Sequence, residues 1–124
     1  MYALAIRQPW AWAILHLGKD VENRSWRTAY RGRFAIHASK SFDAGAYAML
    51  LERFPTRALP RRREFQQGGI VGTAELVDCV TEHESWWFEG PYGFVLQDVR
   101  PTRFVAMSGK LRFFKVPVSV VRRM

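Results

Sequence analysis

Apolar residues recur at helical spacing in two segments of the chain. Gln8-Pro9 opens the first, because proline suits the first position of a helix, and Gly18 is a typical C-terminal stop. The second begins near Ser41 or Asp43, whose side chains can cap a helix, and it ends before Pro55. The predicted core-facing stripes are Trp10, Ala13, Ile14 and Leu17 in the first helix, and Tyr47, Leu50, Leu51 and Phe54 in the second.

Strand-like patterns account for most of the other apolar positions. They lie at residues 2–7, 21–26, 33–38, 70–80, 93–99 and 111–121. Residues 30–33 predict a hairpin turn between the second and third of these strands, and residues 56–67 and 81–92 are predicted loops. Roughly five to six strands with two to three helices, and no repeat or linker, predict one α+β domain over residues 1–124. The expected architecture is a small β-barrel with the helices packed on it.

The excess of basic side chains indicates a class of binding partner. Nineteen basic and eleven acidic side chains give a formal net charge of +8, which favours polyanions such as nucleic acid. A membrane is disfavoured, because no segment approaches the roughly 20 apolar residues of a spanning helix. The single cysteine, Cys79, cannot form an internal disulfide and indicates a reducing cytoplasm. Three histidines without paired cysteines argue against a metal site, and no motif indicates another cofactor.

Candidate chemistry concentrates in residues 18–26, which we call the motif segment. On a strand, Glu22, Arg24 and Trp26 would share one face, and a turn could return the Lys19 amine over that face. One groove would then be lined by a cation, a carboxylate, a bidentate donor and an aromatic ring. Such a groove suits a polar, planar or phosphorylated ligand. The alternative is a solvated strand whose charges form cross-strand ion pairs.

Basic and aromatic residues outside the motif segment form a wider footprint. Arginine strongly outnumbers lysine, which favours phosphate contacts and stacking on bases. The loop at residues 57–63 is predicted to grip a nucleic-acid backbone without reading its sequence. Its arginines include Arg61, Arg62 and Arg63. Residues 81–92, here called the tryptophan loop, are predicted to stack unpaired bases, to close the mouth of the barrel or to bind a protein through Trp86-Trp87-Phe88.

Two polar residues in apolar strands require an explanation. Glu75 is a carboxylate in an environment where its charge is costly without a partner, and Lys19 or Arg24 is the predicted partner. His37 lies between Ile36 and Ala38, and we expect structural hydrogen bonds of it more than acid–base chemistry.

Four stretches of the chain form a recognisable set of motifs. They are Ile6-Arg7-Gln8-Pro9-Trp10-Ala11, the motif segment with its G-x-K-x-x-E-x-R-like core, Arg31-Gly32-Arg33 continuing into Ile36-His37-Ala38, and Gly69-Ile70-Val71-Gly72-Thr73-Ala74. Together they resemble the ASCH domains, a branch of the PUA-like β-barrel superfamily. The resemblance implies a barrel with a cleft beside the first helix, lined by the motif segment, and an association with RNA or DNA binding. For some relatives it also implies hydrolysis of acylated cytidine nucleosides or ribonuclease activity.

The resemblance also implies roles for particular residues. Lys19, Glu22 and Arg24 would line the cleft. Relatives that hydrolyse amides use a lysine, a threonine shortly after it and a glutamate on a later strand. Lys19 matches the lysine, and Glu75 is the candidate for the later glutamate. Glu22 stands where the threonine would be, and the missing hydroxyl weighs against that mechanism.

The sequence therefore supports two main hypotheses and a weaker third. The first is a cytoplasmic binding module that holds a nucleotide or single-stranded RNA or DNA in the cleft. The second is a hydrolase acting on RNA or an acylated nucleoside, with Lys19, Glu22 and Glu75 as catalytic groups. The third is a protein-binding domain that uses the tryptophan loop. The predicted nucleic-acid-binding residues are Gln8, Trp10, Lys19, Glu22, Asn23, Arg24, Trp26, Arg31, Arg33, Arg61, Arg62, Arg63 and Tyr92.

Overall fold

Six strands form one mixed sheet in the computed structural model, which describes residues 1–124. The strands are β1 (Tyr2–Gln8), β2 (Val21–Arg24), β3 (Gly32–Phe42), β4 (Gly69–Val80), β5 (Tyr92–Ala106) and β6 (Phe113–Lys115). Their order across the sheet is β2-β5-β4-β3-β1-β6, and every neighbouring pair is antiparallel except β1 and β3. The helices are α1 (Trp10–His16), α2 (Ala44–Arg53) and α3 (Val118–Val121), with a 3-10 turn at Arg62–Glu64. The α+β class and the numbers of strands and helices are confirmed.

The sheet curls so that its two edge strands approach each other around an aromatic cluster. Phe94 of β5 stacks on Phe113 of β6 with ring centroids 6.3 Å apart. Trp26, which follows β2, meets both rings edge-on, at 5.2 and 6.0 Å. No hydrogen-bonded ladder joins β2 to β6, so the sheet is barrel-like without being closed.

A gap therefore remains between the edge of β2 and the edge of β1, and we call this gap the seam. β6 pairs only with the stretch of β1 from Tyr2 to Leu4, which leaves the rest of that edge of β1 without a strand. The Arg24 guanidinium crosses the seam and donates from Nη2 to the Ala5 carbonyl at 2.6 Å. A side chain thus satisfies a backbone acceptor that a closing strand would satisfy in a complete barrel.

Both long helices lie where the apolar spacing predicts them. Asp43 accepts a hydrogen bond from the Ala46 amide at 2.9 Å and caps α2, which ends before Pro55. Gly18 ends α1 with a φ of +72°, a conformation that is costly for other residues. Leu50 of α2 packs with Ala13 and Leu17 at the end of α1, which brings the two helices together beside the sheet. No helix has the length and apolarity needed to cross a bilayer.

The predicted hairpin between the second and third strands is wrong. β2 pairs with β5, whereas β3 pairs with β1 and β4, so β2 and β3 are not neighbours in the sheet. The connecting residues instead cross the end of the barrel, because Trp26 and Tyr30 pack their rings against the core. Tyr30 stacks on Phe113 with ring centroids 4.6 Å apart. Long-range aromatic packing outweighs the local turn signal in Arg31-Gly32.

The C-terminal third also differs from the predicted strands. β5 continues well beyond residue 99, through Pro101, because register shifts between β4 and β5 accommodate a residue without an amide hydrogen. The strand predicted over residues 111–121 is reduced to the three residues of β6. Pro117 ends pairing and precedes α3, consistent with its fixed φ and missing donor.

Candidate functional site

An open cleft of about 400 Å³ lies at the seam, beside the first helix. We call it the seam cleft. Its lining residues are Ala5, Arg7, Trp10, Lys19, Glu22, Asn23, Arg24, Ser25, Trp26, Asp43 and Glu89. The structure thus brings together six of the residues that the sequence singles out: Trp10, Lys19, Glu22, Asn23, Arg24 and Trp26.

Lys19 and Glu22 form a buried ion pair at the floor of the cleft. Their residues are only 3% and 6% exposed, and Nζ lies 3.0 Å from Oε1. The turn after α1 causes this placement, because Gly18 reverses the chain and the Lys19 amide bonds to the Ala13 carbonyl. Nζ also donates to the Val21 carbonyl. The lysine amine is therefore returned over the strand, as the motif segment predicts.

Arg24 extends this pair into a chain of three charges. Its Nε and Nη2 both lie 3.1 Å from Oε2 of Glu22, so one carboxylate holds two cations. Since Nη2 also donates to the Ala5 carbonyl across the seam, the guanidinium is fixed from two sides. Nη1 has no hydrogen bond within the protein, which leaves its two N–H groups available to a ligand.

Two tryptophans form walls of the cleft, and a cation lies over each ring. Lys19 Nζ is 5.3 Å from the centroid of Trp10, and the Arg112 guanidinium is 4.7 Å from that of Trp26. Trp87 meets Trp10 edge-on at 6.4 Å. The indoles are therefore held by cation–π and aromatic contacts and give the cleft rigid, apolar sides.

The charges that line the cleft cancel. Arg7, Lys19 and Arg24 contribute three positive charges, and Glu22, Asp43 and Glu89 contribute three negative charges. Arg7 and Asp43 lie 3.5 Å apart at the rim. A neutral lining that is rich in donors and acceptors is suited to a planar polar group more than to a bare phosphate.

Asn23 fixes the tryptophan loop against the cleft. Its Nδ2 donates to the Trp87 carbonyl at 2.9 Å, and its Oδ1 accepts from the amides of Glu89 at 2.8 Å and Gly90 at 3.0 Å. A single amide side chain thus satisfies three backbone groups of a loop more than sixty residues away. Its observed contacts are structural, and they place Glu89 at the cleft.

We expect Asn23→Ala to release the tryptophan loop. Removing the amide leaves three backbone groups without partners, which costs about 1–3 kcal/mol of stability. Hydrogen exchange measured by NMR should show faster exchange of the Glu89 and Gly90 amides. Asn23→Asp, which keeps an acceptor oxygen, should preserve their protection. Unchanged exchange in the alanine variant would contradict this account.

The tryptophan loop packs on the helices as a wall more than as an open stacking surface. Trp87 stacks on Phe54, just after α2, with ring centroids 5.8 Å apart and planes 11° apart. Trp86 remains 51% exposed, with Arg53 4.9 Å from its ring. Tyr92, at the start of β5, is partly buried against the core. Trp86 is therefore the one tryptophan of the loop that is largely open to a partner.

The remaining predicted site residues lie outside the cleft. Gln8 is buried, and its amide donates to the Gln66 carbonyl and accepts from the Trp12 amide, both at 2.9 Å. Arg31 donates to the carbonyls of Thr28 and Tyr30. The exposed arginines of the 57–63 loop lie in and around the 3-10 turn, where Glu64 accepts from the Arg61 amide at 2.8 Å. A backbone grip by these arginines stays a prediction.

Arg33 is held on the outer face of the sheet by Asp98. It donates to the Asp98 carboxylate and to the Thr73 hydroxyl, the latter at 2.9 Å. The hydrogen bond from Arg100, together with the charges of Arg100 and Arg33, holds the pKa of Asp98 below its usual value. These contacts tie Arg33 to the sheet.

The lowered pKa of Asp98 predicts a pH dependence of stability. The ionised carboxylate stabilises the fold above its unfolded pKa of about 3.9, and this contribution disappears as the pH falls through the lower folded value. We therefore expect Asp98→Asn to weaken the loss of stability below about pH 4. Urea unfolding across this range measures the effect, with Glu52→Gln as the exposed control. Identical pH profiles for wild type and Asp98→Asn would contradict the assignment.

The predicted pairing of Glu75 with Lys19 or Arg24 is wrong. Ala74 and Leu76 are buried in the core, so strand alternation turns Glu75 to the outer face, in register with Arg33 and Gln97. Glu75 is only half-buried and forms no ion pair. Its carboxylate reaches solvent, so its charge needs no partner within the protein. Glu22 is instead the partner of both cations of the motif segment.

The structure also adds cleft residues that sequence reasoning does not identify. Arg7 and Asp43 reach the cleft because β1 and β3 pair in parallel, which brings the ends of these strands together. Arg7 lies within a quoted motif, and that is the one signal that could have identified it. Ser25 lies within the motif segment, whereas Glu89 carries no comparable signal, because a loop anchored by Asn23 places it.

Comparisons with known proteins agree with the four motifs. The sequence model of the ASCH domain matches residues 4–103, most of the chain. Activating signal cointegrator 1 of Homo sapiens and of Mus musculus are each 29% identical to it over 89 residues, which cover 67% of this chain and 15% of each relative. The matched region is thus a small part of those curated proteins. The chain belongs to the ASCH domain family, which is associated with RNA binding.

Proposed function

We propose that the seam cleft binds one base of a single-stranded RNA. The observation that carries this proposal is the convergence of Lys19, Glu22 and Arg24 at the floor of an open cleft. Their mutual contacts, and the bond from Arg24 to the Ala5 carbonyl, orient them before any ligand arrives. Such preorganisation reduces the ordering cost of binding.

The size and polarity of the cleft support a base as the group that enters it. Its volume of about 400 Å³ lies within the range of small-ligand pockets. The free N–H groups of Arg24 can donate to ring nitrogens or carbonyls of a base. Glu89, which also lines the cleft, offers carboxylate oxygens to an exocyclic amino group. Bases of single-stranded RNA present these edges, because they are not paired.

The backbone of the strand would follow the basic surface outside the cleft. The lining is neutral whereas the whole chain carries a net charge of +8, so the excess positive charge lies elsewhere. Arg112 lies over Trp26, and the exposed Arg27 approaches Tyr92 to within 5.8 Å of its ring centroid. Phosphate contacts of this kind contribute salt-dependent affinity without base preference.

A hydrolase reading has less support in the geometry. Glu75 lies outside the cleft, so Lys19 and Glu22 are the only members of the predicted catalytic set within it. The Lys19 amine already donates to the Val21 carbonyl and to Glu22. Turnover of acetylcytidine or RNA by the wild-type protein, lost in a folded Lys19→Ala variant, would restore this function as the better assignment.

Binding of short single-stranded RNA and DNA at two salt concentrations tests the proposal, with the indole N–H signals of the tryptophans as reporters. We expect RNA to bind more weakly at higher salt and to shift the signals of Trp10 and Trp26, which line the cleft. Trp12, which lies away from it, serves as the internal control. Absence of binding at low salt, or shifts confined to other tryptophans, would overturn the proposal.

A further inference from the structure

A second cavity lies on the outer face of the sheet, beneath the segment that links β5 to β6. Because β5 borders β4 and β6 borders β1, residues 107–112 cross over the sheet, and we call them the strap. Nε2 of His37 lies 2.8 Å from the Met107 carbonyl and must be the donor, since a carbonyl only accepts. The cavity between strap and sheet measures about 490 Å³ and is called the strap cavity.

Two residues that line the strap cavity each carry a buried polar atom without a partner in the protein. These atoms are Nδ1 of His37, a residue that is 2% exposed, and Oγ of Ser39. When Nε2 carries the hydrogen of a neutral imidazole, Nδ1 is an acceptor, whereas a hydroxyl can donate or accept. Orphaned groups of this kind are rare in folded proteins and call for a ligand or ordered water.

Gly109 of the strap packs closely against the imidazole edge, which is buried. A Cβ on Gly109 would lie 3.1 Å from Nδ1 and 2.8 Å from Cε1 of His37. Gly109 is not among the glycines with positive φ, so its backbone does not demand the absence of a side chain. The glycine matters because of the space it leaves, since any larger residue at this point of the strap would press against His37.

The charges around the strap cavity differ from those of the seam cleft. Lys40 and Lys110 are its only charged lining residues, and no carboxylate lines it. The cavity therefore combines two cations, a hydroxyl donor and an imidazole acceptor. An anionic group that also carries a hydroxyl donor matches all four, and the ribose-phosphate unit of RNA is such a group.

The two cavities adjoin. Ala5 lines both of them, and it is in register with His37 across the β1–β3 pair. Arg112, at the end of the strap, lies over Trp26 at the wall of the seam cleft. A strand with one base in the seam cleft can therefore continue past Ala5 to the strap cavity.

We propose that the strap cavity binds the ribose-phosphate of a nucleotide adjacent to the one whose base occupies the seam cleft. In this proposal the strap shifts away from the two buried atoms on binding. The phosphate then accepts from Ser39, Lys40 and Lys110, and the ribose 2′-hydroxyl donates to Nδ1 of His37. This inference rests on the proposed function of the seam cleft. It goes further by assigning a second subsite and a physical basis for preferring RNA over DNA.

The test measures binding of a short single-stranded RNA and of the same oligomer with one 2′-deoxy nucleotide at each position in turn. One position should lose about 3- to 10-fold in affinity, the loss of one hydrogen bond. Ser39→Ala and Lys110→Ala should each weaken RNA binding by a similar factor, whereas Ser41→Ala, an exposed serine on the same strand, should not. Because the Ser39 hydroxyl has no protein partner, its removal should leave the urea midpoint unchanged.

The outcomes separate this inference from the proposed function. Suppose that RNA shifts the indole signals of Trp10 and Trp26, but that no 2′-deoxy position lowers the affinity and Ser39→Ala binds RNA as tightly as wild type. The strap subsite is then wrong, and the proposed function of the seam cleft stands. If no RNA binds, both fail. Inorganic phosphate serves as a separate ligand, and its binding is followed by the NMR signal of the Gly109 amide. A response to phosphate that depends on Ser39, with no effect of Ser39 on RNA, identifies a free-anion site and overturns the RNA assignment.

Discussion

Glu22→Ala should destabilise the fold by about 3–5 kcal/mol, the cost of removing one partner from a buried ion pair. Glu22 holds Lys19 at 3.0 Å and Arg24 at 3.1 Å, and it is the sole acidic partner of both. Without it, the Lys19 amine stays in a site that is almost closed to solvent, with the Val21 carbonyl as its remaining acceptor. The desolvation of an unpaired ammonium then opposes folding.

Urea unfolding of three variants measures this effect. Glu89→Ala removes an exposed carboxylate from the same cleft and should change stability by less than about 0.5 kcal/mol. The double variant Lys19→Met, Glu22→Ala should be more stable than Glu22→Ala alone, because it removes the unpaired cation while keeping most of its volume. A loss below about 1 kcal/mol in Glu22→Ala would contradict the buried arrangement.

Arg24→Gln should reduce the affinity for single-stranded RNA by about 10- to 100-fold, as expected for a lost charged or bidentate contact to a base. Glutamine is shorter and uncharged, so it can neither hold Glu22 nor present two free N–H groups from Nη1. Fluorescence anisotropy with a labelled oligomer measures the loss. Since the proposed contact of Arg24 is with a base and not with a phosphate, the salt dependence of binding should change little.

Arg103→Gln is the matched control for this variant. Arg103 is exposed on β5, and its side chain forms neither an ion pair nor a hydrogen bond within the protein. Its loss therefore subtracts the same charge outside the seam cleft. Retained folding of Arg24→Gln is checked by circular dichroism. Equal affinities of Arg24→Gln and wild type would contradict a base in the seam cleft.

The parts of the structure that the sequence predicts are those set by neighbours along the chain. The first helix, its stop at Gly18 and the cap at Asp43 depend on contacts within a few residues. The return of Lys19 over Glu22 is also local, because the two are three positions apart and directly follow the turn at Gly18. Their chemistry could therefore be recognised before the fold was known.

What sequence reasoning misses depends on pairing between distant segments. The hairpin prediction fails because the partner of β2 is β5, about seventy residues later in the chain. Glu75 is misassigned because the face it occupies depends on the register of β4 against β3 and β5. Glu89 reaches the cleft through hydrogen bonds to Asn23, and no local pattern encodes that contact.

The contact of Arg24 with the Ala5 carbonyl has a consequence for how molecules of this protein meet one another. An unpaired strand edge is a template on which another chain can add a strand, and aggregation often begins there. The edge of β1 beyond β6 is such a stretch, and a guanidinium occupies its acceptor while Arg7 places a further charge beside it. The open seam thus leaves an edge at risk of intermolecular pairing. Arg24, at the floor of the cleft, also blocks strand addition at that edge. Its replacement should therefore increase self-association as well as reduce RNA binding.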